Sequence, residues 1–435
     1  MSLRIAIVGA GIGGLATAGF LHRAGLAATV YEQATALTEV GAGIVVSPNA
    51  VRLIRRLGRL GRFRELAIPL EIGWEFRRWE DGRVLFSQRL GAECERRYGE
   101  RCYVAHRADL LDVVRDAVPA SALRLGARCV AVRRRTGARS GSGGSDGSDG
   151  SGRSDGSGGT GRSDGSGGTG EVELIFADGT TAAADVVIGA DGVHSTVRAA
   201  VAAPEPPRFS GMCAFRCLIP AERAPAFALR PVQTLWVGPD HHIVHYPISA
   251  GQQVNVVAFA PARDWRVESW TAEGSVADLR AEFTGWDAQL AELLGAAERT
   301  GRWALLDRDP LPRWTNGPIA LLGDAAHPMY PFFAQGGAQA LEDAVVIAGC
   351  LAASPADPVA ALTRYERIRR PRATRLQLLS RGRERSNHLP DGPEQRARDA
   401  AFAGEDPLAH NAWIYGHDAE RAVSAGPPRS QAGPQ

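Results

Sequence analysis

The stretch Ile319–Asp343 reads IALLGDAAHPMYPFFAQGGAQALED and predicts a strand, a proline-containing turn and a helix in succession. Its apolar start breaks at Gly323 and Asp324, and a glycine pair, Gly336 and Gly337, opens the helical pattern. A carboxylate just past a strand end can accept hydrogen bonds from sugar-like hydroxyls. Glycines let the backbone approach a flat ring, and a helix N-terminus stabilises negative charge. The stretch therefore predicts a strand that delivers a ligand to a helix N-terminus.

The beginning of the chain carries a second motif of this kind. Residues 3–8, LRIAIV, predict a buried strand, and a helical pattern to Ala24 follows four glycines, Gly9, Gly11, Gly13 and Gly14. A second predicted strand, 28–31, ends at Glu32. Glycines, helix and acid at this spacing are typical of a dinucleotide site, with a pyrophosphate at the helix N-terminus and the acid on ribose hydroxyls. The motif alone does not distinguish NAD from FAD, but an N-terminal position with a second cofactor motif far downstream is the FAD pattern.

A third strand and turn lie between these two motifs. The segment DVVIGADGVHSTVR spans residues 185–198 and brings Asp191 and Gly192 to the end of an apolar strand. Ser195 and Arg198 are predicted to begin the next helix.

Arg107 starts a predicted helix in the pattern Arg-x-x-Leu. Its guanidinium fork can pair with a pyrophosphate. An isolated arginine is more often a surface charge, so this interpretation depends on the neighbouring motifs.

Together these motifs resemble those of the single-component, class A flavoprotein aromatic monooxygenases. This is the para-hydroxybenzoate hydroxylase fold family, and the resemblance is to its salicylate, 3-hydroxybenzoate and 6-hydroxynicotinate hydroxylase branch. The resemblance implies FAD as cofactor and NADH or NADPH as a transient cosubstrate. It places Asp324 at the ribitol of FAD, and Asp191 at both the pyrophosphate and the docking site of NAD(P)H. The other FAD contacts that it implies are Gly9, Gly11, Gly13, Gly14, Glu32, Gln33, Arg107, Gly336, Gly337 and Ala338.

The segment GAGI at 41–44 is expected, by the same resemblance, to run beside the flavin. Some pyridine and salicylate hydroxylases of the family carry a histidine two residues after its last glycine. Val45 occupies that position here, so it is predicted to line the substrate site without making a polar contact.

Residues 210–270 predict an antiparallel sheet, because short β-rich runs are separated by turn residues. His242 and Tyr246 stand four residues apart in HHIVHYPI and therefore share one strand face. The spacing resembles a His-x-x-x-Tyr pair of the hydroxynicotinate and hydroxybenzoate hydroxylases, which implies that both bind or deprotonate a ring hydroxyl of the substrate. His245 is an equally placed competitor on the other face, and either side chain could instead serve packing.

The fold that the resemblance implies is α/β, a Rossmann-like FAD-binding domain with an inserted antiparallel β-sheet substrate domain and a C-terminal helical segment. The expected FAD-binding domain comprises residues 1–72, 101–200 and 302–360. Residues 73–100 and 201–301 form the expected substrate domain, with a hairpin that turns at Asp81 and Gly82. A C-terminal helical region, 361–435, completes the chain.

Two segments are predicted to be disordered. Residues 137–170 consist almost entirely of Gly, Ser, Asp, Thr and Arg, and repeat RSDGSGGTG in tandem. Such a composition buries no apolar surface, so the segment is expected to expand the tip of a hairpin. The residues after Ala422 are the second such segment. The arginine-rich run around Tyr365–Arg372 is predicted to be a solvated or subunit-facing helix face rather than a phosphate site.

Composition excludes several function classes. The chain of 435 residues carries 50 basic residues, all arginine, against 48 acidic ones, so no nucleic-acid partner is expected. The lack of lysine excludes Schiff-base chemistry through lysine. Six cysteines without a CxxC pair predict reduced thiols in the cytoplasm and no metal site. No membrane-spanning segment is predicted.

The function that the resemblance implies is NAD(P)H-dependent monooxygenation of a small aromatic substrate with O2, through a flavin C4a-hydroperoxide. The first choice of substrate is a hydroxylated aromatic or pyridine carboxylic acid. Two alternatives are hydroxylation or epoxidation of a larger apolar natural-product ring, and a flavin oxidase or dehydrogenase that shares the FAD domain. A flavin-bearing binding protein without turnover is a third. A monomer or homodimer is expected.

Overall fold

A computed structural model describes residues 3–37, 42–135, 171–203, 205–263, 272–402 and 406–424. The predicted insertion, 137–170, lies outside these ranges, as does most of the predicted tail, 425–435. The α/β fold class is confirmed, since helices surround several sheets.

Twenty strands are present in the described ranges. They are β1 (Ile5–Val8), β2 (Ala28–Tyr31), β3 (Gly43–Val46), β4 (Ile68–Pro69), β5 (Ile72–Arg78), β6 (Val84–Arg89), β7 (Tyr103–His106), β8 (Leu123–Arg124), β9 (Cys129–Arg134), β10 (Val172–Phe176), β11 (Thr181–Ala184), β12 (Val186–Gly189), β13 (Arg208–Pro220), β14 (Val232–Gly238), β15 (His241–Ile248), β16 (Gln253–Pro261), β17 (Glu273–Gly274), β18 (Thr300–Asp307), β19 (Thr315–Asn316) and β20 (Ile319–Leu321).

Thirteen α-helices accompany them in the same ranges. They are α1 (Ile12–Arg23), α2 (Pro48–Arg56), α3 (Leu60–Leu66), α4 (Gly91–Tyr98), α5 (Arg107–Arg115), α6 (Val276–Glu282), α7 (Ala288–Gly295), α8 (Gly336–Ala353), α9 (Pro358–Asn387), α10 (Pro393–Phe402), α11 (Pro407–His410), α12 (Ala412–Tyr415) and α13 (Ala419–Ser424).

A six-stranded sheet in the order β19-β20-β12-β1-β2-β8 forms the first layer of the fold. Its strands are parallel except for the β19–β20 pair, and Ile5 of β1 lies opposite both Val186 and Ala28. Every residue of β1 and β12 is buried, as expected of strands that are covered on both faces. The loops that follow β1, β2, β12 and β20 at their carboxyl ends carry the predicted cofactor residues, and this is the edge where α/β sheets bind ligands.

An eight-stranded sheet in the order β17-β18-β13-β16-β15-β14-β5-β6 forms the second layer. The strands from 208–261 pair antiparallel, as predicted. The predicted hairpin of β5 and β6 is also confirmed, and Gly82 at its turn has a φ of 63°. The sheet as a whole is mixed, however, because β5 runs parallel to β14. This pairing joins a segment before residue 100 to the strands after residue 200.

Two small sheets complete the strand architecture, with the orders β11-β10-β9 and β3-β7-β4. In the first, Arg134 of β9 lies opposite Val172 of β10, and the backbone N–H of Arg135 donates to the carbonyl of Glu171 over 2.8 Å. The strands that flank residues 137–170 are thus paired as a hairpin, as predicted.

Two helix predictions need correction. Ser195 and Arg198 do not begin a full helix, because only a 3-10 turn, Val197–Ala200, follows β12. The arginine-rich run lies within α9, but it is not simply a solvated face. Arg369 has no solvent exposure, because its guanidinium binds the buried carboxylates of Glu342 and Asp343.

In the described part of the chain, α8 is the single helix whose length and composition would allow it to cross a membrane. Seventy-two per cent of it is buried inside the protein, where it packs against α1 and α9. An apolar helix in these surroundings is a core helix.

Candidate flavin and substrate site

A cleft of about 610 Å³ lies between the carboxyl edge of the six-stranded sheet and one face of the eight-stranded sheet. The cleft brings together most of the residues that the sequence predicted for the site. Those that line it are Gly9, Gly11, Gly13, Glu32, Gln33, Val45, Arg107, Asp191, His242, Tyr246, Asp324, Gly336 and Gly337. Gly14 and Ala338 do not line it.

The glycines that the sequence predicted for the site differ in what surrounds them. A Cβ atom on Gly14 would lie 2.0 Å from the carbonyl oxygen of Gly9, so Gly14 allows helix α1 to pack tightly on the turn. A Cβ atom on Gly11 or Gly336 would meet no atom of the described residues within 4 Å, although both residues line the cleft. Side chains there would fill open space in front of two helix N-termini. This space fits the pyrophosphate and ring system of FAD.

Two of the predicted acids already bind backbone groups. Glu32 accepts hydrogen bonds from the N–H groups of Ala10 (2.8 Å) and Ala34 (2.9 Å). Asp191 accepts one from the hydroxyl of Ser195 over 2.5 Å, and others from two backbone N–H groups of the turn that follows. Both acids therefore shape the cleft edge, and their contacts with a cofactor stay a prediction.

Asp324 lines the cleft and is exposed there, although many protein atoms surround its carboxyl. Burial raises the pKa of its carboxyl, while the charges of His327 and Arg107 act in the opposite direction. A carboxylate in this position, with Arg107 beside it, can accept hydrogen bonds from the hydroxyls of a ribitol chain. The local geometry thus fits the predicted role of Asp324.

A buried polar network lies behind Asp324. Asp343 accepts hydrogen bonds from the backbone N–H of Gly323 (2.9 Å) and from Nε2 of His327 (2.6 Å) through one oxygen. Its other oxygen accepts one from Nε of Arg369 over 2.7 Å. Burial alone would raise the pKa of Asp343, but His327 and Arg369 hold it below its usual value. Asp343 therefore fixes the turn that carries Asp324.

Glu342 extends this network toward the N-terminus of α2. It binds Nη1 of Arg369 over 2.5 Å and accepts a hydrogen bond from Nδ2 of Asn49 over 2.8 Å. Gln335, the residue before α8, donates to the hydroxyl of Ser47 over 2.8 Å. These contacts tie α8 to α2 and α9, so the helix that opens at Gly336 is held from two sides.

One face of the eight-stranded sheet forms the opposite wall of the cleft. Alternate residues of its strands point to that wall, as strand geometry requires. They are Trp74, Arg216, Gln233, Leu235, His242, Val244, Tyr246, Val257 and Phe259.

Tyr246 lies against the segment that precedes α2. The backbone N–H of Gly43 donates to Oδ1 of Asn255 over 2.7 Å, and a Cβ atom on Gly43 would lie 2.5 Å from a ring carbon of Tyr246. Burial raises the pKa of Tyr246, although the charge of Arg216 opposes that shift. Tyr246 is therefore a neutral phenol at the edge of the cleft.

His242 is stacked on Phe259 with ring centroids 4.3 Å apart, and Phe332 meets it edge-on at 5.3 Å. Burial lowers its pKa well below the ordinary value, so the imidazole is neutral. Its Nδ1 atom lies 2.5 Å from Nε2 of His388, which leaves Nε2 of His242 as the ring nitrogen for a ligand in the cleft. The competitor, His245, faces the other way and packs edge-on against Phe227.

Sequence reasoning missed Arg216, Gln233 and His388. Arg216 lines the cleft with its guanidinium 3.9 Å from the ring centroid of Trp303. The Oε1 atom of Gln233 is buried and accepts no hydrogen bond from any described residue. An arginine and a glutamine in otherwise apolar strands were the available signal for two of them. His388 follows α9, far along the chain from His242, and no local spacing connects the two.

The family model described as FAD binding domain matches residues 2–128 and 160–379. A 3-amino-4-hydroxybenzoate 2-monooxygenase of Streptomyces platensis is 41% identical over 416 residues, which cover 96% of each chain. A 6-hydroxynicotinate 3-monooxygenase of Pseudomonas fluorescens is 34% identical and covers 87% of this chain and 90% of its own.

A solved salicylate hydroxylase in complex with its substrate has a TM-score of 0.76 and 27% identity, and the match covers 99% of both chains. These similarities agree with the first functional expectation and not with the alternatives. The cleft fits FAD, and the match extends over nearly the whole chain. The chain therefore belongs to the single-component, class A FAD-dependent aromatic monooxygenases, with FAD as cofactor and NADH or NADPH as transient cosubstrate.

Proposed function

We propose that this monooxygenase hydroxylates the ring of a hydroxylated aromatic or pyridine carboxylic acid, with an aminohydroxybenzoate as the first candidate. The observation that carries the proposal is that Arg216, His242 and Tyr246 line one cleft together with the predicted flavin residues. Relatives named for 3-amino-4-hydroxybenzoate and 6-hydroxynicotinate support the same substrate class.

Arg216 supplies the charge that a carboxylate substrate needs. Its guanidinium is held on the face of Trp303, so the side chain is fixed toward the cleft at little further entropic cost. A guanidinium fork binds a carboxylate through two parallel hydrogen bonds, which also orients the ring. The position of the carboxylate on the substrate ring would therefore determine which ring carbon faces the bound flavin.

His242 and Tyr246 suit a ring hydroxyl. A neutral imidazole can accept the hydroxyl proton through Nε2, and a neutral phenol can donate to the oxygen that becomes negative. Deprotonation makes the ring a better nucleophile toward an electrophilic oxygen. The orphan Oε1 atom of Gln233 offers an acceptor for an amino or hydroxyl substituent.

Bound FAD supplies the chemistry of reduction by NAD(P)H and activation of O2. The protein's contribution is to orient the substrate and exclude water. Phe259 and Phe332 are almost fully buried and pack on each other and on His242, which makes that part of the cleft apolar.

The remaining roles follow from this proposal. We infer that the predicted FAD residues act as the resemblance implies, and that the domain division at residues 72, 100, 200, 301 and 360 describes the cofactor, substrate and helical regions. The six cysteines are free and buried, which supports work in the cytoplasm. The enzyme is expected to act as a monomer or homodimer.

The test is anaerobic reduction of the holoenzyme by NADH and by NADPH. The rate of reduction is measured in a stopped-flow instrument as the loss of flavin absorbance. The panel is 3-amino-4-hydroxybenzoate, 4-hydroxybenzoate, 6-hydroxynicotinate and salicylate. Matched controls are 3-aminobenzoate, which lacks the hydroxyl, and 2-aminophenol, which lacks the carboxylate. Strong acceleration by one hydroxylated acid, and by neither control, is the expected result. Reduction at one rate regardless of the ring would contradict the proposal.

A further inference from the structure

His242 and His388 form a hydrogen-bonded pair in the interior. The Nδ1 atom of His242 and the Nε2 atom of His388 are 2.5 Å apart, and the two rings are tilted by 39° with centroids 4.7 Å apart. His242 belongs to β15, whereas His388 follows the last turn of α9. The pair therefore joins the eight-stranded sheet to the end of α9.

The pair also separates two cavities. His242 lines the cleft that holds Tyr246 and Arg216. His388 lines a second, more open pocket of about 770 Å³ between the end of α9 and the rim of the sheet. A chain of two imidazoles thus leads from the cleft to a solvent-accessible pocket.

Only one proton can occupy the short contact between the two rings. Burial lowers the pKa of both imidazoles, that of His388 to about 3, so both rings are neutral at pH 7. A neutral imidazole has one N–H donor and one acceptor nitrogen. If His242 donates through Nδ1, its Nε2 must be an acceptor toward the cleft, and His388 must carry its own proton on Nδ1.

We propose that His388 is a positioning residue that fixes the tautomer of His242 and passes the proton of the substrate's ring hydroxyl to the second pocket. This inference rests on the proposed function, because it assumes that a hydroxylated ring reaches His242.

The proton moves in three steps. The O–H bond of the ring breaks as an N–H bond forms at Nε2 of His242. The N–H bond at Nδ1 of His242 breaks as one forms at Nε2 of His388. The N–H bond at Nδ1 of His388 then breaks, and the proton passes to water in the second pocket. The ring becomes a phenolate, both imidazoles end neutral, and the reverse transfer restores the first tautomers when the product leaves protonated.

The surroundings of the pair favour transfer along it. Aromatic rings cover its sides, since Phe259 stacks on His242 and Phe332 meets both imidazoles edge-on. On the same strand, His241 is bound to Glu282 over 3.0 Å. The charged groups that face the pair through the second pocket are Asp240, Arg381, Glu384, Arg385, Asp391 and Glu394. The four carboxylates in this set can accept the released proton and transfer it to water.

The first experiment compares the wild-type holoenzyme with His388→Gln and with His241→Gln, a neighbouring histidine of the same strand, as matched control. Each is mixed with 3-amino-4-hydroxybenzoate in weakly buffered solution with phenol red. Stopped-flow absorbance reports phenolate formation and proton release, and flavin absorbance reports binding and FAD content. Glutamine can still hydrogen-bond to His242, but it does not carry a proton onward.

The expected result is that His388→Gln binds the ligand within about twofold of wild type, while its rate of proton release falls about tenfold or more. The pH profile of that rate should change strongly for His388→Gln and only slightly for His241→Gln, since His241 acts on the pair through its charge alone. Unchanged proton release in His388→Gln, with normal FAD content, would overturn the inference.

A rescue experiment covers the possibility that the glutamine variant is poorly folded. His388→Ala opens a space toward the second pocket, which free imidazole can enter. Imidazole should restore proton release, and pyrrole, a ring of similar size without an acceptor nitrogen, should not. Equal effects of both rings, or of neither, would contradict a relay.

A ligand-free measurement separates this inference from the proposed function. In the holoenzyme labelled with ¹⁵N-histidine, NMR should show two neutral imidazoles at pH 7, with His388→Gln removing one and shifting the other. A charged imidazolium at either position overturns the relay. The proposed substrate class is overturned instead if the wild-type enzyme shows the two neutral imidazoles by NMR but none of the ring acids accelerates its flavin reduction.

Discussion

The Nε2 atom of His327 lies 2.6 Å from the Oδ2 atom of Asp343, and both side chains are buried beneath the turn that carries Asp324. Asp343 lies in α8, at the far end of the same motif, and also binds the backbone of Gly323. The helical end of the motif therefore binds the turn at its beginning through Asp343. Its geometry at Asp324 depends on a residue that has no contact with the cleft.

Asp343→Asn should weaken FAD binding about tenfold or more, because it removes the charge that holds His327 and Arg369 beneath the turn. Loss of one partner from a buried ion pair also costs about 3–5 kcal/mol of stability. Asp309→Asn is the control, since Asp309 also binds an arginine but is largely exposed. FAD titration by fluorescence and thermal unfolding measure the two effects. Equal behaviour of the two variants would remove Asp343 from this role.

Arg216→Met should raise KM for the carboxylate substrate by about 10–100-fold, since a charge-assisted bidentate contact contributes about 1.5–3 kcal/mol. Methionine replaces the aliphatic part of the arginine side chain, but it lacks the guanidinium and therefore also loses the contact of that group with Trp303. Weak activity toward 2-aminophenol, which has no carboxylate, should change little. Steady-state kinetics with both compounds separate a lost carboxylate contact from general damage, which would affect both equally.

Tyr246→Phe should slow hydroxylation more than flavin reduction, because it removes one hydroxyl from the substrate site and leaves the ring packing against Gly43 in place. The measurement is coupling, the ratio of hydroxylated product to NAD(P)H consumed, with hydrogen peroxide determined as the uncoupled product. A coupling ratio equal to that of wild type would exclude Tyr246 from the mechanism.

His245→Leu should make the protein less sensitive to acid. His245 is buried, neither of its ring nitrogens has a hydrogen bond to a described residue, and burial lowers its pKa to about 3. In the unfolded chain it binds a proton below about pH 6.5, so its folded-state pKa makes stability fall as pH falls from about 6.5 toward 3.

Between pH 7 and pH 5 this contribution amounts to about 2 kcal/mol in the free energy of unfolding, and it should vanish in His245→Leu. Urea unfolding at both pH values measures it. His22→Gln, an exposed histidine at the end of α1, is the control and should keep the wild-type dependence. A leucine variant with an unchanged pH dependence would show that other groups cause it.

Deletion of residues 137–170, with an Asn-Gly turn in their place, should leave FAD content and activity unchanged. The strands on both sides are already paired up to Arg135 and Glu171, so a short turn can close the hairpin. Bound FAD per chain and substrate-stimulated NAD(P)H oxidation are the measurements. Loss of FAD in the shortened chain would contradict the prediction.

The cofactor side of the cleft was accessible from sequence because its elements are local. Gly9, Glu32, Asp191 and Asp324 each follow a short apolar strand, and parallel strands bring their carboxyl ends to one edge without further information. Strand periodicity also placed His242 and Tyr246 on one face, whereas the choice of this pair came from the family resemblance.

The errors and omissions concern contacts between distant segments. The run that contains Arg369 was predicted to be a solvated or subunit-facing face, because an arginine-rich helix usually is, but the carboxylate partners of Arg369 lie in α8. His388 lies 146 residues from His242, and only the fold brings their rings together. Such pairings depend on where α9 packs in the fold, which no spacing within α9 encodes.

The parallel pairing of β5 with β14 has a consequence for synthesis on the ribosome. Both sheets contain strands from distant parts of the chain, since β1 pairs with β12 and β12 pairs in turn with β20 in the C-terminal half. A nascent chain that ends before residue 186 presents β1 and β5 with open edges, and such edges are prone to pair wrongly. Neither layer can be completed from the N-terminal half, so the protein must finish folding late in translation, when the second half of each sheet has emerged.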